Sequence, residues 1–182
     1  MMAEEFWSEV VRTGGVSPGF ARRGRLQPLA DDRAVELART RSETAQELWQ
    51  GKAQWRLREA AEIGPWCPAS PTGLVVEDTL SARIHPRRAC DALVAALSVR
   101  DVQILPEAED RGKVIHATGL AGLEALNAAF GGSVGIGVKG QAALLRHAAG
   151  PVPQVFADGV HIIPHFDGTV AIGSTSERTF DD

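Results

Sequence analysis

Lys113-Val114-Ile115-His116-Ala117-Thr118-Gly119 is a short apolar run that stops at a small Thr-Gly turn. About forty residues later comes Phe156-Ala157-Asp158-Gly159-Val160-His161-Ile162-Ile163-Pro164-His165, and then Gly168-Thr169-Val170-Ala171-Ile172-Gly173-Ser174-Thr175. These runs are rich in β-branched residues and interrupted by the turn-forming Thr118-Gly119 and Asp158-Gly159, the pattern of short strands joined by turns. Residues 113–117, 154–156, 160–163 and 169–172 are therefore predicted as strands. Residues 102–105 are predicted to add another, across the charged turn at 106–112.

Upstream the pattern changes. Residues 4–12 place Phe6, Trp7, Val10 and Val11 at helical spacing, and Gly14-Gly15 ends the run. Residues 19–29 read as one strand. Asp31-Asp32 can cap a helix over residues 33–49, because acidic side chains accept from its first amides and suit the positive end of its dipole. The stretch Gly64-Pro-Trp-Cys-Pro-Ala-Ser-Pro-Thr-Gly73 is a loop. Residues 74–76 form a short strand. Pro86 opens a helix, since a first-turn proline gives up no hydrogen bond. Residues 122–130 form a further short helix, and 134–145 is predicted as a strand. Helices and strands in this order, with antiparallel pairs late in the chain, give an α+β (α/β) fold with a mixed sheet.

The chain has 182 residues, 44% of them hydrophobic and 23% charged, which suits a globular domain with a sizeable core. Its formal net charge of −4 argues against nucleic-acid binding. The short basic clusters Arg22-Arg23-Gly24-Arg25 and Arg87-Arg88 read as solvated surface. Cys67 and Cys90 show no metal-ligand spacing, so free thiols in a reducing compartment are expected. No apolar run has membrane-spanning length and no signal-peptide pattern opens the chain, so the expected location is cytoplasmic, without a membrane partner.

Gly135-Ile-Gly-Val-Lys-Gly140 spells GxGxxG, and Asp158 follows at a plausible distance for a ribose contact. A dinucleotide loop needs a full strand before the glycines and a helix after them. Gly131-Gly132 leaves too few residues for that strand, and Asp158-Gly159 is a turn. A glycine-bearing strand, extended or bulged, is the expected structure here.

Four stretches, taken in order, are similar to one family. His116-Ala117-Thr118-Gly119 resembles the strand end that runs beneath the dinucleotide in FAD-dependent amine and amino-acid oxidases of the D-amino-acid oxidase and glycine oxidase superfamily. Residues 81–93, SARIHPRRACDAL, resemble the return from substrate domain to flavin domain. Val138-Lys139-Gly140-Gln141 resembles the re-entry into the substrate sheet, and residues 158–175 resemble the strand pair lining the substrate cavity. The resemblance covers nearly the whole chain and rests on the ordered combination rather than on any one stretch. That family opens with a strand and a glycine-rich phosphate loop, whereas this chain opens with MMAEEFW; it reads as the middle of a flavoenzyme, a partial chain.

The resemblance implies FAD as cofactor and a small-molecule amine or amino acid as substrate. It implies hydride transfer from the amine-bearing carbon to the flavin, followed by hydrolysis of the imine, with the cofactor carrying the hard step. It places Thr118 and Gly119 at the cofactor, where small residues let the backbone approach. It places His161 where the family commonly carries a tyrosine near the substrate, and Ser176, fifteen residues on, at another cavity-facing position. No catalytic acid–base residue and no metal ligand is expected. Read from the residues alone, His161 is equally a strand histidine facing solvent or with a satisfied hydrogen bond, Ser176 and His165 are turn residues, and Glu43 with Glu47 is a solvated helix face. The implied division is residues 1–83 with 134–182 as a substrate-domain-like unit, and 84–133 as a remnant of the FAD-binding domain. Without a phosphate loop the chain alone is expected to be colourless or to hold FAD only weakly. The alternative reading is a non-catalytic fragment or binding module of the same fold; oligomerisation is compatible with either.

Overall fold

The computed structural model describes residues 3–179. Helix α1 (Ala3–Gly14) is followed by two short strands, β1 (Ala21–Arg22) and β2 (Arg25–Pro28). The single strand expected over 19–29 is broken at Gly24, which has φ of +76°. Its amide donates to Ser81 O at 2.9 Å, and its carbonyl accepts from Gln154 N at 3.1 Å. The break lets β1 pair with β5 (Ala82–Arg83) while β2 enters the main sheet.

Helix α2 (Asp32–Trp49) begins as the sequence predicts: the Asp31 carboxylate accepts from Ala34 N at 2.8 Å. Strand β3 (Trp55–Glu59), the one-turn α3 (Ala60–Ile63) and β4 (Leu74–Asp78) follow. Helix α4 (Pro86–Ser98) carries its proline in the first turn. Helix α5 (Gly119–Phe130) precedes the last strands, β6 (Ala142–Arg146), β7 (Gln154–Ala157), β8 (Val160–Pro164) and β9 (Thr169–Gly173).

Seven strands form one mixed sheet in the order β3-β4-β2-β7-β8-β9-β6. Every neighbouring pair is antiparallel except β2 with β7, where Arg25 opposes Gln154 and Leu26 opposes Val155. Side chains alternate between faces and cross-strand partners share one. Leu26, Val75, Val155 and Val170 thus lie on one face, all of them buried. Leu29 and Val76 lie on the other, where Ala38 of α2 closes over them with Ala34, Val35, Trp55 and Leu57. The Trp55 indole N–H donates to Ala38 O at 3.2 Å, and the Ser42 hydroxyl donates to Trp55 O at 2.9 Å. Trp55 thus ties α2 to the sheet through packing and hydrogen bonds.

The chain divides into two compact units, one running to Val102 and including Ala142–Gly173, the other Gln103–Gln141 with the residues from Ser174 onward. The break does not fall before Pro86. Ala92 and Ala96 of α4 bury against Val10 of α1, with Trp7, Val16 and Leu93 around them, so α4 belongs to the first unit.

Two predicted strands are absent. Residues 102–105 and 113–117 are irregular, and Ile115 is 88% exposed. A strand is stabilised by its ladder, and among the described residues nothing pairs with either run. The strand expected over 134–145 is confined to β6; residues 135–140 are extended, with one isolated bridge between Lys139 and Glu177.

Candidate functional site

His161 stands on β8 in the first unit, directly opposite Phe156 on β7 and Gly173 on β9. Its ring stacks on Phe156 with centroids 4.5 Å apart and planes tilted by 36°. The Arg25 guanidinium lies 5.9 Å from the centroid of the same phenyl ring, within reach of a cation–π attraction. Arg25 Nε approaches Asp78 Oδ2 at 3.2 Å. Asp78 is 2% exposed, and its carboxylate also accepts from Ser81 N at 2.7 Å and Ser81 Oγ at 2.8 Å.

The strand register makes this a single row. Arg25 opposes both Asp78 and Gln154, Phe156 is two residues from Gln154, and His161 opposes Phe156. Asp78, Arg25, Phe156 and His161 therefore cross four adjacent strands on one face, the face that carries α2 further along. The row fixes the imidazole by stacking and leaves its nitrogens to hydrogen-bond a carboxylate or an amine.

Sequence reading missed Arg25, Asp78 and Phe156. The sequence predicts Arg25 as solvated surface with Arg22 and Arg23. Instead its side chain is three-quarters buried in an ion pair, and the Arg22 Nε is buried with no partner. Only Arg23 of the cluster is exposed. The available signal was alternation: a two-residue step from Arg25 reaches Gln27 and one from Arg23 reaches Arg25, but Gly24 breaks the count.

The other candidates belong to the second unit. Thr118 is the residue before α5, with φ −97° and ψ 12°, and its side chain does not cap the helix. Gly119 has φ of +63° and open space where a Cβ would stand. Both are exposed, and with α5 they present uncapped backbone. Ser176 is exposed in the segment after β9.

Gly135 to Gly140 build no phosphate loop. No helix follows them; β6 does. Asn127 of α5 holds the run's start: its Oδ1 accepts from Val134 N at 2.6 Å and its Nδ2 donates to Gly135 O at 3.0 Å. A concavity of about 430 Å³ lies between α5 and this run, with Glu124 and Arg178 among its walls. Neither Thr118, Gly119 nor Ser176 lines it. Among the described residues no cluster of His, Cys, Asp or Glu could hold a metal, and no helix is long and apolar enough to cross a membrane.

The sequence model for FAD-dependent oxidoreductases matches residues 1–182. The chain belongs to the FAD-dependent oxidoreductase family. Solved structures of similar fold include glycine oxidase from Geobacillus kaustophilus, with 16% identity and a TM-score of 0.69, covering 98% of this chain and 54% of that one. L-proline dehydrogenase from P. horikoshii is 18% identical, with a TM-score of 0.67 and coverage of 97% and 55%. Iminodiacetate oxidase from Chelativorans sp. BNC1 is 21% identical, with a TM-score of 0.64 and coverage of 96% and 54%. This member of the family thus spans about half the length of the solved structures it matches. No curated protein matches it. The mixed sheet and the family expected from the sequence are both borne out.

Proposed function

We propose that this chain supplies the substrate face and one edge of the cofactor site of an FAD-dependent oxidoreductase acting on a small amine or amino acid. The observation that carries the reading is the Asp78–Arg25–Phe156–His161 row, which fixes one imidazole on the sheet of a chain matched over its whole length by the family.

His161 binds and orients the substrate through a hydrogen bond to its carboxylate or amine; Ser176, in the second unit, offers a hydroxyl to the same class of ligand. Thr118 and Gly119 fit a flavin dinucleotide, because an uncapped helix start with a glycine at positive φ offers amides and no obstructing side chain. A flavin held there would supply the acceptor for hydride from the amine-bearing carbon. The chain's own part is orientation and electrostatics, which needs no strong base. In this reading residues 1–83 and 134–182 form the substrate side and residues 84–133 the flavin side. That functional division crosses the compact units, since α4 packs on α1. The extended Gly135–Gly140 run does not add a pyrophosphate site, so the affinity of this chain alone for FAD is low.

The test begins with titration of FAD into the purified chain, followed by flavin absorbance. Weak saturable binding is expected, roughly tenfold weaker for Gly119→Val, whose Cβ and φ both obstruct approach. The FAD-loaded protein is then mixed anaerobically with glycine, proline and iminodiacetate. Bleaching is expected with one of them, slower in His161→Ala while binding of FAD is kept. Equal bleaching rates in His161→Ala would remove His161 from the substrate site; absence of FAD binding at millimolar concentration would refute the cofactor assignment.

A further inference from the structure

Away from the His161 row, the first unit encloses a second concavity, of about 490 Å³. Its walls come from residues 17–23, β5, the loop 148–151 and the β8–β9 connection. Two of the wall side chains are polar and almost fully buried, Arg83 at 7% and His165 at 6% exposure. Arg83 donates one N–H to Pro164 O, but its Nε has no partner, and neither has His165 Nδ1. Arg23 stands at the same cavity from the exposed side.

Among the described residues no carboxylate lines this space. Asp167, the carboxylate that acts on His165, is already engaged: Thr169 donates to it through its amide and its hydroxyl, His85 Nε2 lies 3.5 Å away and Arg88 Nε 3.7 Å away. A guanidinium does not shed its proton at any ordinary pH, so Arg83 is a buried cation without a counter-ion, a costly arrangement unless something completes it. The surroundings show the excess of positive potential. Burial and then Arg23 pull the Arg83 guanidinium below its ordinary pKa. Burial, His85 and Arg83 hold the His165 imidazole below its ordinary value, with Asp167 opposing.

We propose that this cavity binds a small organic carboxylate. Its oxygens are taken by Arg83 and Arg23, with His165 Nδ1 as a further polar partner, and its carbon body lies against Phe20, Phe166 and Pro151. A planar guanidinium matches a carboxylate in two parallel hydrogen bonds. The aromatic and proline walls favour an anion with an apolar tail over inorganic phosphate, which has none. The site is separate from the substrate face: neither His161 nor Phe156 borders the cavity.

The test is calorimetric titration of the full chain with butyrate and with inorganic phosphate. Butyrate is expected to bind with Kd on the order of 1 mM, and phosphate at least tenfold more weakly. Arg83→Gln is expected to abolish butyrate binding. Arg23→Gln, at an exposed position that folding tolerates, is expected to weaken it roughly tenfold. His161→Ala is expected to leave it unchanged, and butyrate should shift the His165 ring resonances. Tighter binding of phosphate than of butyrate would overturn the carboxylate assignment. No butyrate binding to the unsubstituted chain, full binding in Arg23→Gln, or loss in His161→Ala would each overturn the site. None of these results depends on FAD, so failure here is distinct from failure of the proposed flavin function.

Discussion

Replacing Gly24 by alanine tests the feature that separates β1 from β2. Two costs are visible. The residue has φ of +76°, a conformation that costs an L-residue about 1–2 kcal/mol. An added Cβ would also stand 2.2 Å from the carbonyl oxygen of Asp78 and 3.3 Å from its carbon. That oxygen belongs to β4, which pairs with both β2 and β3, so it cannot retreat without disturbing two ladders. Overpacking of this kind costs about 1–3 kcal/mol. Gly51 provides the control: its φ is +77°, with nothing within 4 Å of the Cβ position. Gly51→Ala should therefore lose about 1 kcal/mol, the conformational part, partly offset by the reduced entropy of the unfolded chain. Gly24→Ala should lose about 2–5 kcal/mol, the sum of the conformational and packing terms. With m on the order of 1–3 kcal/mol/M in urea, the two midpoints should differ by roughly 1 M. Tryptophan fluorescence reports the transition, because Trp55 sits directly opposite Asp78. Midpoints of the two variants that agree within error would show that Asp78 moves freely and that the strand break is not enforced by its oxygen.

Asp78→Ala should cost about 2–4 kcal/mol, since it strands Arg25 and two Ser81 donors; Asp78→Asn should cost less than half of that, and equal losses in urea unfolding would count against the ion pair. Stability should fall on acidification in two stages. His165 faces His85, Asp167, Arg83 and, on the cavity side, Arg23; burial holds its folded pKa below the ordinary value, so the unfolded chain binds the proton more readily and stability drops as pH falls through about 6.5. Asp167, lowered chiefly by its hydrogen bond from Thr169 and secondarily by His85 and Arg88, contributes stability above the ordinary carboxylate pKa that is lost at still lower pH. Urea midpoints between pH 8 and 5 should flatten in His165→Gln; an unchanged slope would place the acid sensitivity elsewhere. His161→Ala, at a partly exposed strand position, should shift the thermal midpoint by only a few degrees, and a collapse of the fold would mean that the ring is a core residue.

Local rules carried much of the architecture. The Asp31 cap, the first-turn Pro86, the Asp158-Gly159 turn and the β-branched runs of β8 and β9 are each decided within a few residues, and each lies where the sequence places it. The same rules dismissed the GxGxxG run correctly, because a phosphate loop needs neighbours in sequence that are not there. They failed at residues 102–105 and 113–117, where apolar, β-prone chain has no partner strand among the described residues.

By itself the sequence determined the elements that depend on near neighbours, the mixed α and β composition of the fold, and the family. Only the tertiary structure decided which residues share a site. The parallel pairing of β2 with β7 joins Arg25 to Gln154, and with it Asp78, Arg25, Phe156 and His161 become one row. The tertiary structure likewise gathers Arg23, Arg83 and His165 around a cavity with no carboxylate in its walls among the described residues. Helix caps and turns are settled by hydrogen bonds spanning three or four positions. Register and burial arise from contacts across more than a hundred, and charge neutralisation can be judged only once those contacts have formed.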